Sequence, residues 1–233
     1  PRSLRTAFAR ARGASPSGDV IIEANLTGTE VGGDAFLLDG RIRRIFITSK
    51  RLAGTLVRGH CYPHPILTHS QSESVVTAIS DCCEAVGYLD GPLNFDVMLG
   101  DGPTCVIEMS PRTGGNGIPR TVRLVEGVDL EESAIRLALG SDPDLFPSTT
   151  SASRPPFAVS SVLTLPNRGG LQGDLTPDRV RALDPRIREA WLSGALQDVE
   201  SDSRDRPYGY LVAAMRNQHE ALAAATLDCL QPF

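Results

Sequence analysis

Apolar and polar positions along the chain change period several times, and each change marks an element. In "SLRTAFARAR", Leu4, Phe8 and Ala11 recur near helical spacing, and the run ends in the loop "GASPSG". "DVIIEANL" then reads as a buried strand. "EVGGDAFLLDGRIRRIFITSK" reads as two strands joined by Asp39-Gly40, a strong hairpin signal. Residues 51–70 are rich in His and Pro and read as irregular. From Gln71 to Val86 a helix is expected, with Val75, Ile79, Cys82 and Val86 on one face. A second hairpin follows, "LNFDVML-GDG-PTCVIEMS". After it come helices around Arg120–Glu126 and Leu130–Leu139, the latter opened by Asp129 as N-cap and closed by Gly140. The stretch "SDPDLFPSTTSASRPP" is the best boundary in the chain. Beyond it, strand-like "FAVSSVLTLP" and "YGYLVAAM" flank a helical "TPDRVRAL" and the charged loop Glu200–Arg206. A closing helix starts at Asn217, with Glu220 completing a capping box. The pattern is α+β, with one unit over residues 1–145 and a smaller α+β unit over 157–233.

The second hairpin carries the first sign of chemistry. With the turn near Gly102, Asp96 lies opposite Glu108 and Asn94 opposite Ser110, so these four polar side chains share one face. Phe95, Val97, Leu99, Cys105, Ile107 and Met109 fall on the other. Opposed carboxylates repel, and a divalent cation would relieve that, because Mg²⁺ takes hard oxygen ligands. A solvated polar face on an amphipathic hairpin is the other reading. Arg112 follows just past the strand, where its guanidinium could reach metal-bound phosphate. Gly114, Gly115, Asn116 and Gly117 then leave backbone amides open ahead of a helix start, a setting that favours anions. Two acids, an arginine and open amides form a phosphoryl-transfer constellation. The pairs Gly32-Gly33 and Gly169-Gly170 read as turns or bulges.

Composition narrows the classes further. At 233 residues and 41% hydrophobic, the chain can bury a substantial core. Its net charge of -5 is spread along the sequence, which argues against nucleic-acid or membrane partners. No apolar run approaches the roughly 20 residues of a membrane span. Five cysteines without a CxxC pair suit a reducing cytoplasm. His60, Cys61, His64 and His69 fit no compact zinc pattern, and Trp191 reads as a core or interface anchor of the small unit.

Taken together, these motifs resemble the ATP-grasp superfamily, and within it the carboxylate–amine ligases that include L-amino acid ligases. "VIIEANLTGTE" resembles the family's hinge strand. The resemblance implies that Glu23 and the backbone near Ala24 and Leu26 meet adenine, and that Glu30 holds the ribose hydroxyls. Lys50, ending "FITSK", falls where relatives often place a lysine near the phosphates. "GPLNFDVML" with "VIEMSPRTGG" is similar to the metal-binding hairpin. Asp96, Glu108 and Ser110 take the metal positions there, and Arg112 the catalytic one. Asn94, Gly114, Gly115 and Asn116 are placed at the substrate. "EGVDLEESAIRLALG" is also typical of the branch, and the C-terminal unit resembles the small terminal domain of L-amino acid ligases. Ser110 stands where many relatives carry asparagine, and Asn94 where amino acid ligases often carry histidine.

The implied fold is the carboxyl-terminal ATP-grasp subdomain, an antiparallel sheet with flanking helices, plus a small α+β domain. The family's first lysine, its glycine-rich phosphate loop and its amino-terminal domain would precede Pro1, so the chain is expected to be part of a longer ligase, inactive alone. The implied cofactors are ATP and Mg²⁺ (or Mn²⁺). The partners are a small-molecule carboxylate and an amine, a homodimer is compatible, and the compartment is the cytoplasm. Carboxylation or carbamoyl-phosphate-type chemistry on the same fold, and a non-catalytic interaction module, stay open beside amide formation.

Overall fold

The computed structural model describes residues 2–54, 56–100, 102–146, 153–164, 176–192 and 207–226. Helix α1 (Arg2–Ala14) comes first, followed by β1 (Thr29–Leu38) and β2 (Arg41–Ala53). Next are β3 (Leu56–Tyr62), α2 (His69–Val86), β4 (Gly91–Leu99) and β5 (Cys105–Ser110). Helices α3 (Ile118–Glu126) and α4 (Leu130–Ala138) precede β6 (Phe157–Thr164), α5 (Pro177–Ala182) and β7 (Ile187–Leu192). Strand β8 (Pro207–Met215) and α6 (Gln218–Thr226) close the described chain. The strands form one sheet in the order β5-β4-β1-β2-β3-β6-β8-β7, with every neighbouring pair antiparallel. Because β6 pairs with β3, the segments on either side of residues 147–152 share that sheet.

Side chains that alternate across the sheet separate two environments. On one face Val31, Ala35, Phe95 and Val97 pack against Val75, Ile79 and Cys83 of α2. Farther along the same face, Val159, Leu211 and Ala213 pack with Val180 of α5 and with Ala221 and Ala224 of α6. The opposite face is covered only in part. Phe36, Phe46 and Tyr62 pack there against Ile118 and Val122 of α3, Val128, and Leu130 of α4. Glu126 ties α3 to the sheet through Arg44 at 2.7 Å and through the Tyr62 hydroxyl. The uncovered remainder of this face is polar and carries the candidate site.

Local sequence explains several element ends. Asp39 and Gly40 both take positive φ at the β1–β2 turn, as a type I′ hairpin requires. Asp129 caps α4 by accepting from the Glu132 amide at 3.1 Å. At α6, Asn217 accepts from the Glu220 amide, but Glu220 turns its carboxylate to the Arg216 amide instead of completing a box with Asn217.

Several expectations are corrected. "DVIIEANL" forms no strand: among the described residues no strand pairs with it, and Ile21 and Ile22 are 82% and 64% exposed. Residues 51–70 are not irregular throughout, because β2 runs to Ala53 and β3 follows it. Strand β7, absent from the sequence reading, is an edge strand on which Trp191 is 54% exposed and stacks on Tyr210, so Trp191 is no core anchor. On α2 the cysteine buried beside Val75 and Ile79 is Cys83, not Cys82, and Val86 is exposed. Gly32 and Gly33 lie within β1 rather than at a turn. The loop at 200–206 and Gly169-Gly170 fall outside the described residues.

Candidate active site

The site is assembled on β1, β2, β4 and β5 and on the loop that leaves β5. In β1, alternation places Glu30, Gly32 and Asp34 on the partly covered face. Lys50 of β2 lies on the same face. Its Nζ donates to Asp96 Oδ2 on β4 at 2.8 Å and also to Glu30 Oε1. The lysine side chain is nearly buried while both acids stay part-exposed. Burial works against its charge, but the bonds to Asp96 and Glu30 outweigh it and hold the ammonium above its ordinary pKa. Gly32 makes this contact feasible, since a Cβ there would sit 2.7 Å from Asp96 Oδ1 and 3.3 Å from Lys50 Cδ.

Across the hairpin, Asp96 pairs with Glu108 and Asn94 with Ser110, the register expected from the sequence. A bulge follows at once, between Asp96 and Val97, so that Val106 rather than Ile107 faces Val97. Val106 packs with the α2 core and Ile107 is 47% exposed, which corrects the expected face of the turn end. Glu108 itself is exposed, and the Ser110 hydroxyl donates to it at 3.4 Å. Asp96, Glu108 and Ser110 offer only oxygen donors, the kind Mg²⁺ or Mn²⁺ takes. Among the described residues no three His, Cys, Asp or Glu side chains gather into a metal cage. A cation here would complete its shell with waters or phosphate oxygens, as Mg²⁺ commonly does.

Past β5, Arg112 is exposed and donates to the Thr113 carbonyl at 2.9 Å. The next residues are held from below. The Gly114 amide donates to Asp34 Oδ1 at 2.8 Å, and Asn94 Nδ2 donates to the same oxygen at 2.9 Å. Asn94 Nδ2 also reaches the Gly33 carbonyl at 2.9 Å. Asp34 is fully buried, which pushes its pKa from 3.8 up to about 6, against the opposing effect of the Gly114 and Asn94 bonds and the Arg112 charge. Gly115 has open space where a side chain would be, and Asn116 and Gly117 take left-handed backbone. Gly117 caps α3 without any side-chain bond, the Ile118 amide turns back to the Gly115 carbonyl at 3.1 Å and Pro119 carries no N–H, so the helix start itself offers little to an anion. Gly117 also lies against Ser160 and Tyr210, which brings β6 and β8 to the back of the loop.

A buried pair lies behind Lys50. The Thr48 hydroxyl donates to the Gly32 carbonyl at 2.9 Å, so its oxygen accepts from His60 Nδ1 at 3.1 Å, and the imidazole carries its proton on Nδ1. Burial, with the Lys50 charge, lowers the His60 pKa to about 3, so the ring is neutral.

The structure therefore brings Glu30, Lys50, Asp96, Glu108, Ser110, Asn94 and the Arg112–Asn116 loop to one face. Glu23, Ala24 and Leu26 stay in an exposed segment without regular structure. Gly28 joins that segment to the site, running so close to Leu99 that a Cβ would meet its carbonyl oxygen at 2.0 Å. Sequence reasoning missed Asp34, Thr48 and the role of Gly32. A lone acid inside the apolar run "VGGDAFLL" was the available signal for Asp34.

Two solved structures share this architecture. Phosphoribosylglycinamide synthetase from Anaerococcus prevotii superposes with a TM-score of 0.68 at 17% identity, over 96% of this chain and 57% of that one. L-amino acid ligase from Bacillus licheniformis gives 0.67 at 17% identity, over 86% and 50%. The chain has the ATP-grasp fold. It is also 34% identical to human (Homo sapiens) carnosine synthase 1 over 122 residues, which is 51% of this chain and 14% of that relative. No protein-family profile matches the chain. No helix among the described residues is long and apolar enough to cross a membrane.

Proposed function

We propose that the protein containing this chain is an ATP-dependent carboxylate–amine ligase that forms an amide through an acyl phosphate. The observation that carries this reading is the convergence of Glu30, Lys50, Asp96 and Glu108 on one open face beside Arg112. The names of the relatives, a carnosine synthase, an L-amino acid ligase and a phosphoribosylglycinamide synthetase, agree with a synthetic, bond-forming role. Residues 1–145 carry the nucleotide and phosphoryl chemistry in this proposal, and 157–233 form a small α+β unit that backs the loop.

The substrate carboxylate attacks the γ-phosphorus of ATP, the bond to the bridging oxygen breaks, and ADP leaves. The amine then attacks the acyl carbon, phosphate departs with the carboxylate oxygen, and the nitrogen loses its proton. Asp96, Glu108 and Ser110 would hold Mg²⁺, which neutralises charge on the phosphates when bound. Glu23, Ala24 and Leu26 would meet the adenine and Glu30 the ribose, while Lys50 steadies phosphate oxygens. Arg112 stabilises the phosphoryl group in transfer and the acyl phosphate that follows. Asn94 orients the Asp34 carboxylate that takes the Gly114 amide, and the amides of Gly115 and Asn116 line the carboxylate side.

ADP release by the intact protein with Mg²⁺ and mixed carboxylates and amines tests the reading. A substrate pair should stimulate release. Arg112→Ala should lower turnover by about 10²–10³, the usual cost of one preorganised donor, or by up to about 10⁵ for an arginine on a phosphoryl group. Nucleotide affinity should fall far less. If no pair stimulates release, the ligase reading gives way to a non-catalytic binding module.

A further inference from the structure

Asp34 is an expensive residue to keep where it is. Its side chain has no solvent exposure, and Oδ2 finds no hydrogen-bond partner among the described residues. A buried acid with an unpartnered oxygen costs free energy that an apolar residue would not. All its satisfied bonding goes through Oδ1, and one of the two donors is the amide of Gly114, two residues beyond Arg112.

The loop is seated on that oxygen from three sides. A Cβ at Gly114 would come within 2.8 Å of Asp34 Oδ1, of Asn94 Nδ2 and of Ile118 Cδ1. Strand β1, strand β4 and the first residue of α3 therefore form one notch, and the Gly114 amide fits into it. The same peptide stretch turns Arg112 outward and leaves Gly115 in open space.

We propose that Asp34 is a positioning residue, which fixes through the Gly114 amide the backbone that sets Arg112 and presents the amides of Gly115 and Asn116 to an anionic carboxylate or phosphoryl group. The catalytic part of this inference rests on the ligase reading above, while the structural part does not. A charged acceptor holds an amide more strongly than a neutral one, and this accounts for an acid at a place where burial disfavours it. The Arg112 charge is felt at Asp34 and favours its ionised form, so the buried acid and the exposed arginine are electrostatically linked. A purely structural residue would stabilise the fold as a whole. Asp34 instead gives up stability to hold one loop.

Hydrogen exchange on the intact protein, resolved by peptide, separates the two roles. Asp34→Leu removes the acceptor together with the buried charge. It should melt no lower than the parent, yet amides in 111–117 should exchange at least tenfold faster while β1 and β4 are unchanged. Asp34→Asn keeps an acceptor oxygen and loses the charge, and should speed the same peptide about threefold. In the ADP-release assay Asp34→Leu should lose at least tenfold in kcat, with KM for ATP within twofold of the parent. A folded Asp34→Leu with unchanged exchange in 111–117 overturns the proposal. If Asp34→Leu does not fold, Asp34→Asn decides: a rise confined to 111–117 supports the proposal, and no rise, or one spread over β1 and β4, overturns it. A parent with no ligase activity would refute the ligase reading while leaving the exchange result to stand.

Discussion

Lys50 and Asp96 meet although their strands are not neighbours. The lysine of β2 passes over Gly32 of β1 and donates to the aspartate of β4 at 2.8 Å. One ammonium thus serves a residue read as a metal ligand and, through Glu30, a residue read as a ribose ligand. The nucleotide and metal ends of the proposed site are coupled through a single cation.

That contact depends on a missing side chain. Gly32→Ala should fold, because the displaced groups are the ends of Asp96 and Lys50, but it should weaken Mg²⁺–nucleotide binding about tenfold in titration calorimetry. Gly33→Ala should behave differently, since its Cβ would lie 2.1 Å from the Phe46 carbonyl oxygen in the middle of the sheet. Backbone cannot yield there as a side chain can, and a loss of roughly 3 kcal/mol or more is expected from overpacking. Thermal melts of the two variants side by side check the contrast.

Removing the cation should expose the acids to each other. Lys50→Met leaves Glu30 and Asp96 without their common partner. Breaking a buried pair by deleting one member costs about 3–5 kcal/mol, and roughly half that is expected here because both acids are part-exposed. MgCl₂ should raise the melting temperature of Lys50→Met more than that of the parent, as a divalent ion takes over the neutralising role. An equal shift in both proteins would contradict that role for the two carboxylates.

Sequence patterning showed much of this and missed some of it for physical reasons. The hairpin register Asp96↔Glu108 was legible because a two-residue period and a glycine turn constrain it from within one short segment. The bulge after Asp96 was not legible, because it depends on how β5 packs over α2. Strand β3 was obscured by its His and Pro neighbours, although it pairs with β2 through Ser49↔Cys61 and Lys50↔His60. "DVIIEANL" has strand-like residues but no partner strand, and propensity alone cannot supply one. The role of Asp34 is not legible within its own strand, because it comes from Gly114, 80 positions later.

Asp34 and His60, both buried, give stability opposite pH slopes. Asp34 has its folded pKa raised to about 6 from 3.8, so the folded state binds that proton more tightly. Its contribution is therefore greatest below about pH 4 and is lost as pH rises to about 6. His60 is lowered from 6.5 to about 3, so the stability linked to it is present above about pH 6.5 and is lost as pH falls toward 3. Urea denaturation of Asp34→Asn minus parent cancels the common groups. The difference should grow in favour of the variant between pH 4 and 6, by up to roughly 3 kcal/mol at about 1.36 kcal/mol per pKa unit, and then level off.

Hydroxylamine trapping reads out whether the Asp96–Glu108 face with Arg112 activates a carboxylate as an acyl phosphate. Incubated with ATP, Mg²⁺, mixed amino acids and hydroxylamine, the intact protein should form hydroxamate together with ADP. Glu108→Gln, which keeps the shape of an exposed side chain and removes its charge, should form neither above background while melting within a few degrees of the parent. Hydroxamate formation by Glu108→Gln at the parental rate, or ADP release by the parent with no hydroxamate, would rule out an acyl phosphate made at this face.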